Sequence, residues 1–169
     1  MPRHPGQTDR LIRRLRWDEL DEGWLRAFAA LARDEDLAGA GLATRPGVRG
    51  DPSAALLAGA GRARAHVVAR RPMTIAGLGM MRPIFAAYDQ ACVGRPLVAE
   101  GAEVAAGTVV AEVEGPAAAL LSAERILLNF LQRLSGVATR TREHVRALGA
   151  SPTHLLDTRK TTPGFRMLE

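Results

Sequence analysis

Lysine is almost missing from these 169 residues: of 23 basic side chains, all but Lys160 are arginine. A chain that uses arginine for every other cation keeps, at that one place, a compact ammonium able to turn three donors toward a single anion. Cysteine is represented by Cys92 alone, which excludes an internal disulfide and fits a reducing cytoplasm. With Val93 beside it and no histidine nearby in sequence, Cys92 reads as a small buried residue rather than a nucleophile. Aromatic residues make up only 4% of the chain and do not interleave with basic ones, so the stacking platforms that bind nucleic acid are not expected despite a net charge of +5. The arginines are scattered, and from Arg10 to Asp36 they alternate with acids, which makes anionic small molecules the expected ligands. No segment approaches the ~18 consecutive apolar residues of a membrane span, so no membrane partner is expected and the protein reads as soluble.

The basic stretch Met1 to Arg16, with Pro2, Pro5 and Gly6, also lacks the apolar core of a secretion signal. It reads as a frayed leader over 1–16. An organelle-targeting peptide is the lesser alternative, because Asp9 is its only acid. The length suits one ordinary domain, or a small domain with a piece of another.

Past the leader, Leu20, Trp24, Phe28 and Leu31 recur at helical spacing from Trp17 to Arg33, with Asp18, Glu19, Asp21 and Glu22 crowding the first turn. This is an amphipathic helix. The glycine- and proline-rich stretch 34–61 has no clear period and reads mostly as loop. Strands are expected at Ala63 to Ala69 and Met73 to Leu78, then a short helix from Met80 to Tyr88. Between Val93 and Gly115, valines punctuated by Gly94, Gly101 and Gly107 predict short strands joined by tight turns. The spacing Glu100-Gly101-x-x-Val104-x-x-Gly107 is similar to the turn of biotin- or lipoate-carrying domains, but that role needs a modifiable lysine and the region has none. A structural β-module is the better reading.

Two segments carry the functional signal. In the first, Leu120, Ile126, Leu127, Phe130, Leu131 and Leu134 share one face of a long helix, while Ser122, Arg125, Asn129, Gln132 and Gly136 fall on the opposite stripe. That stripe is either a set of anion-binding donors or an ordinary solvated face. In the second, His154-Leu-Leu-Asp157-Thr158-Arg159-Lys160-Thr161-Thr162-Pro163-Gly164, the two leucines suggest a short buried strand. Thr162 suits a helix N-cap, and Pro163 suits the first position of a helix. Strand, basic pair and helix start in that order would place Arg159 and Lys160 at the mouth of a parallel α/β fold, where ligands bind. Otherwise the pair is a solvated basic turn.

Taken together, the run Glu124-Arg125-Ile-Leu-Leu-Asn129-Phe-Leu-Gln132-Arg-Leu-Ser135-Gly136-Val-Ala-Thr139 and the run Asp157 to Gly164 resemble quinolinate phosphoribosyltransferases, the carboxylating nicotinate-nucleotide diphosphorylases. Weaker similarity extends from about Asp34 to Gly115. The resemblance implies an α+β sandwich domain over 17–116 and connecting helices over 117–150. It also implies the start of an α/β barrel over 151–169, with the first strand at Leu155 to Thr158. It implies a cytoplasmic, homodimeric enzyme of NAD biosynthesis that joins quinolinate to phosphoribosyl diphosphate in the presence of Mg²⁺, giving nicotinate mononucleotide, diphosphate and CO2. By the same resemblance, Thr158 and Arg159 belong to quinolinate binding. Lys160 is the catalytic residue that helps hold the phosphoribosyl donor, and Arg125 enters the site of the partner subunit.

The chemistry suits these residue types. A pyridine dicarboxylate calls for forked guanidinium donors, each charge-assisted bond being worth about 1.5–3 kcal/mol. Cations on the leaving diphosphate act mainly as charge develops in the transition state.

The family pattern also implies parts that do not occur in this sequence: a glycine-rich His-Arg segment, a later lysine, Mg²⁺-associated acids and phosphate-binding loops. The chain is therefore expected to be an N-terminal piece, inactive by itself, with an uncovered apolar face at Leu155, Leu156, Phe165 and Leu168 and with residues beyond about 150 aggregating or disordered. Its metal ligands would lie outside the chain. Smaller departures are Ser122 where threonine is common, Phe165 where leucine is common, and Ala43-Thr44 in place of an Asp-x-Thr pattern. Two rival readings are a molybdenum-transport-associated homologue, which shares the fold and part of the lysine motif, and a non-enzymatic truncated remnant. The full Asn129 to Gly136 run and the doubled Thr161-Thr162 favour the quinolinate enzymes over the first.

Overall fold

A computed structural model describes residues 15–169. The basic leader expected over 1–16 lies, except for its last two residues, outside the described residues.

A single 3-10 turn at Trp17–Glu19 leads into helix α1, Glu22–Ala38. Asp21 caps α1 by accepting a hydrogen bond from Trp24 N at 2.6 Å, and Gly39 ends it in the left-handed conformation. Its buried stripe is Leu25 and Ala29, flanked by the partly buried Trp24 and Phe28. Leu31, expected on that stripe, is 58% exposed instead. At roughly 100° per residue it lies about 120° around the axis from Leu25. Most of 39–61 is loop, interrupted by the short helix α2, Pro52–Ala55.

Strand β1, Arg62–Val68, pairs antiparallel with β5, Val109–Pro116, whose other edge pairs with β3, Val93–Pro96. The sheet order is therefore β1-β5-β3. A separate two-stranded ladder joins β2, Met73–Thr74, to β4, Glu103–Val104. The strand expected over Met73 to Leu78 shrinks to two residues because the chain turns at Gly77, where φ is 98°, into a 3-10 turn at Leu78–Met80. Glu100 fixes that turn by accepting hydrogen bonds from Gly77 N at 2.5 Å and Leu78 N at 3.1 Å. Helix α3, Met81–Tyr88, follows and buries Met81, Ile84 and Phe85. Glu112 and Glu114 face outward from β5, where Arg64 and Arg62 reach Glu114 at 2.9 and 3.3 Å. Such exposed pairs contribute little to stability.

Helix α4, Ala117–Leu148, is one continuous element of 32 residues rather than several connecting helices, about 48 Å long at 1.5 Å per residue. The expected core face is observed: Leu120, Ile126, Leu127, Phe130, Leu131 and Leu134 are all buried. Ser122 is buried with them, so it leaves the polar stripe to Arg125, Asn129, Gln132 and Gly136, which are exposed. Two hydroxyls on the helix fasten the β2 segment. Ser135 Oγ accepts from Ala76 N at 3.0 Å and Thr139 Oγ1 accepts from Thr74 N at 2.9 Å, satisfying backbone donors that the short strand leaves over.

The segment after α4 departs from expectation. Leu155 to Thr158 forms no strand, and Leu155 and Leu156 are 48% and 60% exposed. A strand needs ladder partners, and among the described residues none lies beside it. Pro163 begins no helix: residues 163–168 form successive turns. Phe165 and Leu168 are not left uncovered, because both pack on the core. The Phe165 ring stacks on Phe130 and meets Phe28 edge-on, each at 5.3 Å between centroids.

Gly77 offers a test of how tightly this packing is specified. An added Cβ there would lie 2.8 Å from Leu134 Cδ1, in a backbone conformation that disfavours side chains. Gly77→Ala should cost about 1–3 kcal/mol in urea unfolding. An unchanged midpoint would mean that Leu134 gives way freely.

Candidate functional site

The residues singled out in sequence fall into two separate places. Thr158, Arg159 and Lys160 lie together on an exposed turn. Thr158 N donates to Asp157 Oδ1 at 2.6 Å, and Lys160 N donates to Thr158 Oγ1 at 3.3 Å. These local side-chain bonds hold the turn without a sheet. Among the described residues neither Arg159 nor Lys160 has an ion-pair partner, so both cations stand open to solvent.

Arg125 is elsewhere and is engaged. Its Nε and Nη2 donate to the two oxygens of Asp36 at 3.0 and 2.9 Å, and Nη1 lies 2.9 Å from Asp51 Oδ2. Asp51 also caps α2 through Oδ1, which accepts from Ser53 N and Ala54 N. Its side chain is only 3% exposed. Burial opposes charge on this carboxyl, but the backbone donors and the Arg125 guanidinium overcome it and hold it below the usual carboxylate range. The bonds to Asp36 in turn push the Arg125 guanidinium further up against a smaller opposing effect of burial. Tyr88 OH adds a long contact to Asp36 at 3.4 Å, and burial raises its phenol. One cluster thus ties α1, α2 and α3 to α4.

A second carboxylate binds back onto α4. The Glu169 side chain accepts from Arg133 Nε at 2.8 Å and from Thr162 N at 3.0 Å, and is 8% exposed. Arg133 also donates to Thr162 Oγ1. Burial raises the Glu169 carboxyl, yet Thr162 N–H and Arg133 lower it more, so it too sits below its ordinary value. Asp36, Asp51 and Glu169 were not singled out in sequence. The Asp51-Pro52 pair signals a helix cap, but nothing local couples it to an arginine 74 positions on.

Among the described residues no group of three or more His, Cys, Asp or Glu side chains is placed to hold a metal ion. No described helix is long and apolar enough to cross a membrane. Cys92 is buried, as expected, and burial raises its thiol.

A small antiparallel sheet backed by one long helix, which runs on to an exposed Thr-Arg-Lys turn, defines an α+β module. Family models agree on what that module is. The N-terminal domain of quinolinate phosphoribosyl transferase matches residues 53–135, and its C-terminal domain matches residues 137–169. The chain belongs to the quinolinate phosphoribosyltransferase family. A probable nicotinate-nucleotide pyrophosphorylase (carboxylating) of Synechocystis is 46% identical over 121 residues, which cover 72% of this chain and 41% of that protein. The Bacillus subtilis relative of the same description is 43% identical, with 71% and 42% covered. In three dimensions the nicotinate-nucleotide pyrophosphorylase of Francisella tularensis superposes with a TM-score of 0.78 at 29% identity, over 92% of this chain and 52% of that one. NadC of Streptococcus pyogenes gives 0.77 at 30% identity, over 89% and 50%. The chain spans about two fifths of the length of the Synechocystis and Bacillus subtilis relatives.

Both depressed carboxyls are charged in the folded protein, so the stability they contribute is present above about pH 4, the ordinary carboxylate range, and is lost as pH falls below it. Asp51→Asn keeps a capping oxygen but removes the charge facing Arg125. It should cost about 1–2 kcal/mol at pH 7, less than a fully buried pair because Arg125 is 45% exposed, and should flatten the acid limb of stability against pH. A variant with the wild-type acid limb would refute the assignment.

Proposed function

We propose that this chain supplies the substrate-facing N-terminal part of a cytoplasmic quinolinate phosphoribosyltransferase. The enzyme transfers the phosphoribosyl group of phosphoribosyl diphosphate to quinolinate, with loss of CO2, to form nicotinate mononucleotide and diphosphate. The observation that carries this reading is the exposed Thr158-Arg159-Lys160 turn, with neither cation paired to an acid among the described residues, in a chain matched in order by both domains of that family. Arg159 offers a planar fork to a quinolinate carboxylate, with Thr158 beside it. Lys160 offers a point charge to the phosphates of the donor and stabilises the diphosphate as it leaves. Arg125 belongs to the neighbouring site of a homodimer. Two of its N–H donors answer Asp36 and Nη1 pairs with Asp51, which together hold the guanidinium plane while other N–H groups stay available to a ligand. Mg²⁺ bound by residues outside this chain would neutralise diphosphate charge, and the roles of Arg125, Thr158, Arg159 and Lys160 do not depend on it.

A chimera tests the reading: this chain joined to the C-terminal part of the Bacillus subtilis relative, assayed for CO2 release from quinolinate. Arg159→Lys keeps the charge but loses the paired donors, and should lower kcat/KM for quinolinate by roughly thirty- to a hundredfold with little change in the donor's KM. Lys160→Arg should show the opposite bias. Unchanged quinolinate kinetics in Arg159→Lys would remove the carboxylate role from Arg159.

A further inference from the structure

Just beyond the turn carrying Arg159 and Lys160, polar contacts from Thr162 and Glu169 meet one arginine of α4. Thr162, two residues beyond Lys160, is held twice: its N–H donates to Glu169 at 3.0 Å, and its hydroxyl accepts from Arg133. Arg133 in turn holds Glu169, which closes a three-membered network of Arg133, Thr162 and Glu169. Backbone bonds from Phe165 N to Thr162 O and from Glu169 N to Phe165 O carry that anchorage through the turns, and Phe165 stacks on Phe130, one turn of α4 before Arg133. On the other side of the network, Lys160 N bonds Thr158 Oγ1 and Thr158 N bonds Asp157. Leu155 and Leu156, by contrast, are exposed. The recorded anchorage of the two cations thus lies on the downstream side.

We infer that Arg133 and Glu169 are positioning residues, which set the Thr158-Arg159-Lys160 turn against α4 and so fix where its two cations meet a phosphorylated or carboxylate ligand. The inference rests on the ligand role proposed above for that turn. Arg133 suits the task better than a lysine would, because its fork bonds Glu169 and Thr162 at once. The Glu169 carboxylate is nearly buried and has donors on both oxygens, so it defines one geometry rather than a loose ion pair.

The test uses the 169-residue chain, ¹⁵N-labelled, with inorganic diphosphate as the probe at low ionic strength. Amide exchange and binding are followed in the wild type and in Arg133→Gln, Glu169→Gln, Arg133→Lys and Lys160→Gln. Loss of a charge-assisted bond should speed exchange at the Lys160, Thr162 and Phe165 amides by about tenfold or more in Arg133→Gln and Glu169→Gln, and weaken diphosphate several-fold, with partial recovery in Arg133→Lys. Exchange in the α4 residues 120–131 should stay as in the wild type, which separates positioning from general destabilisation. Lys160→Gln should weaken diphosphate without altering exchange at Thr162. If Arg133→Gln and Glu169→Gln leave both Lys160 exchange and diphosphate affinity unchanged while Lys160→Gln weakens binding, the positioning role is wrong. If the wild type binds no diphosphate, or Lys160→Gln binds as well as the wild type, the ligand role of the turn fails. Lys160 exchange then decides the positioning claim, and wild-type exchange in both variants overturns it.

Discussion

Burial of one face of α4 is the constraint on which the rest of the structure depends. Leu120, Ala123, Ile126, Leu127, Phe130 and Leu131 form a continuous apolar strip, and the sheet, α1 and α3 each bury their own apolar residues in the same core. Each large side chain there is worth roughly 1.5–3 kcal/mol when removed from water. A helix this long draws its stability from such packing more than from its own hydrogen bonds. The sheet is too small to stand alone: β1 is largely exposed, and β5 alone of its strands has a mostly buried run. Phe130 extends the strip to Phe28 and Phe165, so the segment beyond the helix joins the same core instead of trailing free.

Of the five arginines on the same helix, 125 and 133 each hold a nearly buried carboxylate from a remote part of the chain. Arg125 gathers Asp36 and Asp51, and Arg133 gathers Glu169. Both use several donors of one planar group at once, which an ammonium cannot reproduce with the same geometry. The near-exclusive use of arginine in the sequence acquires a structural meaning at these two places. The lone lysine stands apart in a turn where, among the described residues, no acid answers it.

Much of this was legible in the sequence because it follows from local periodicity. The α4 core face, α3 and the glycine-punctuated strands between Val93 and Gly115 were all visible as patterns of spacing. So was the family, through two long ordered runs. Other features depend on partners far away along the chain. Leu31 fits the helical period but faces solvent, because the angular position of the stripe is set by what packs against it. Ser122 fits the polar stripe yet is buried. Leu155 to Thr158 has the composition of a strand but lacks strand neighbours among the described residues, whereas Phe165 finds cover on α4, and Leu168 on the core, that composition could not foretell. Of the candidate site, the Thr158-Arg159-Lys160 turn was readable as a motif. The Asp36 and Asp51 partners of Arg125, and the Glu169 partner of Arg133, join residues tens of positions apart and leave no local signal.

Native-state hydrogen exchange across the whole chain tests the central claim most directly, since it ranks elements by the free energy needed to open them. If the inner face of α4 organises the molecule, the slowest amides should be those of residues 120–135, together with β5 and α3, all exchanging with one common free energy equal to that of global unfolding. Residues 151–161 should exchange much faster. Slowest exchange confined to the sheet, with α4 opening independently and earlier, would contradict the account.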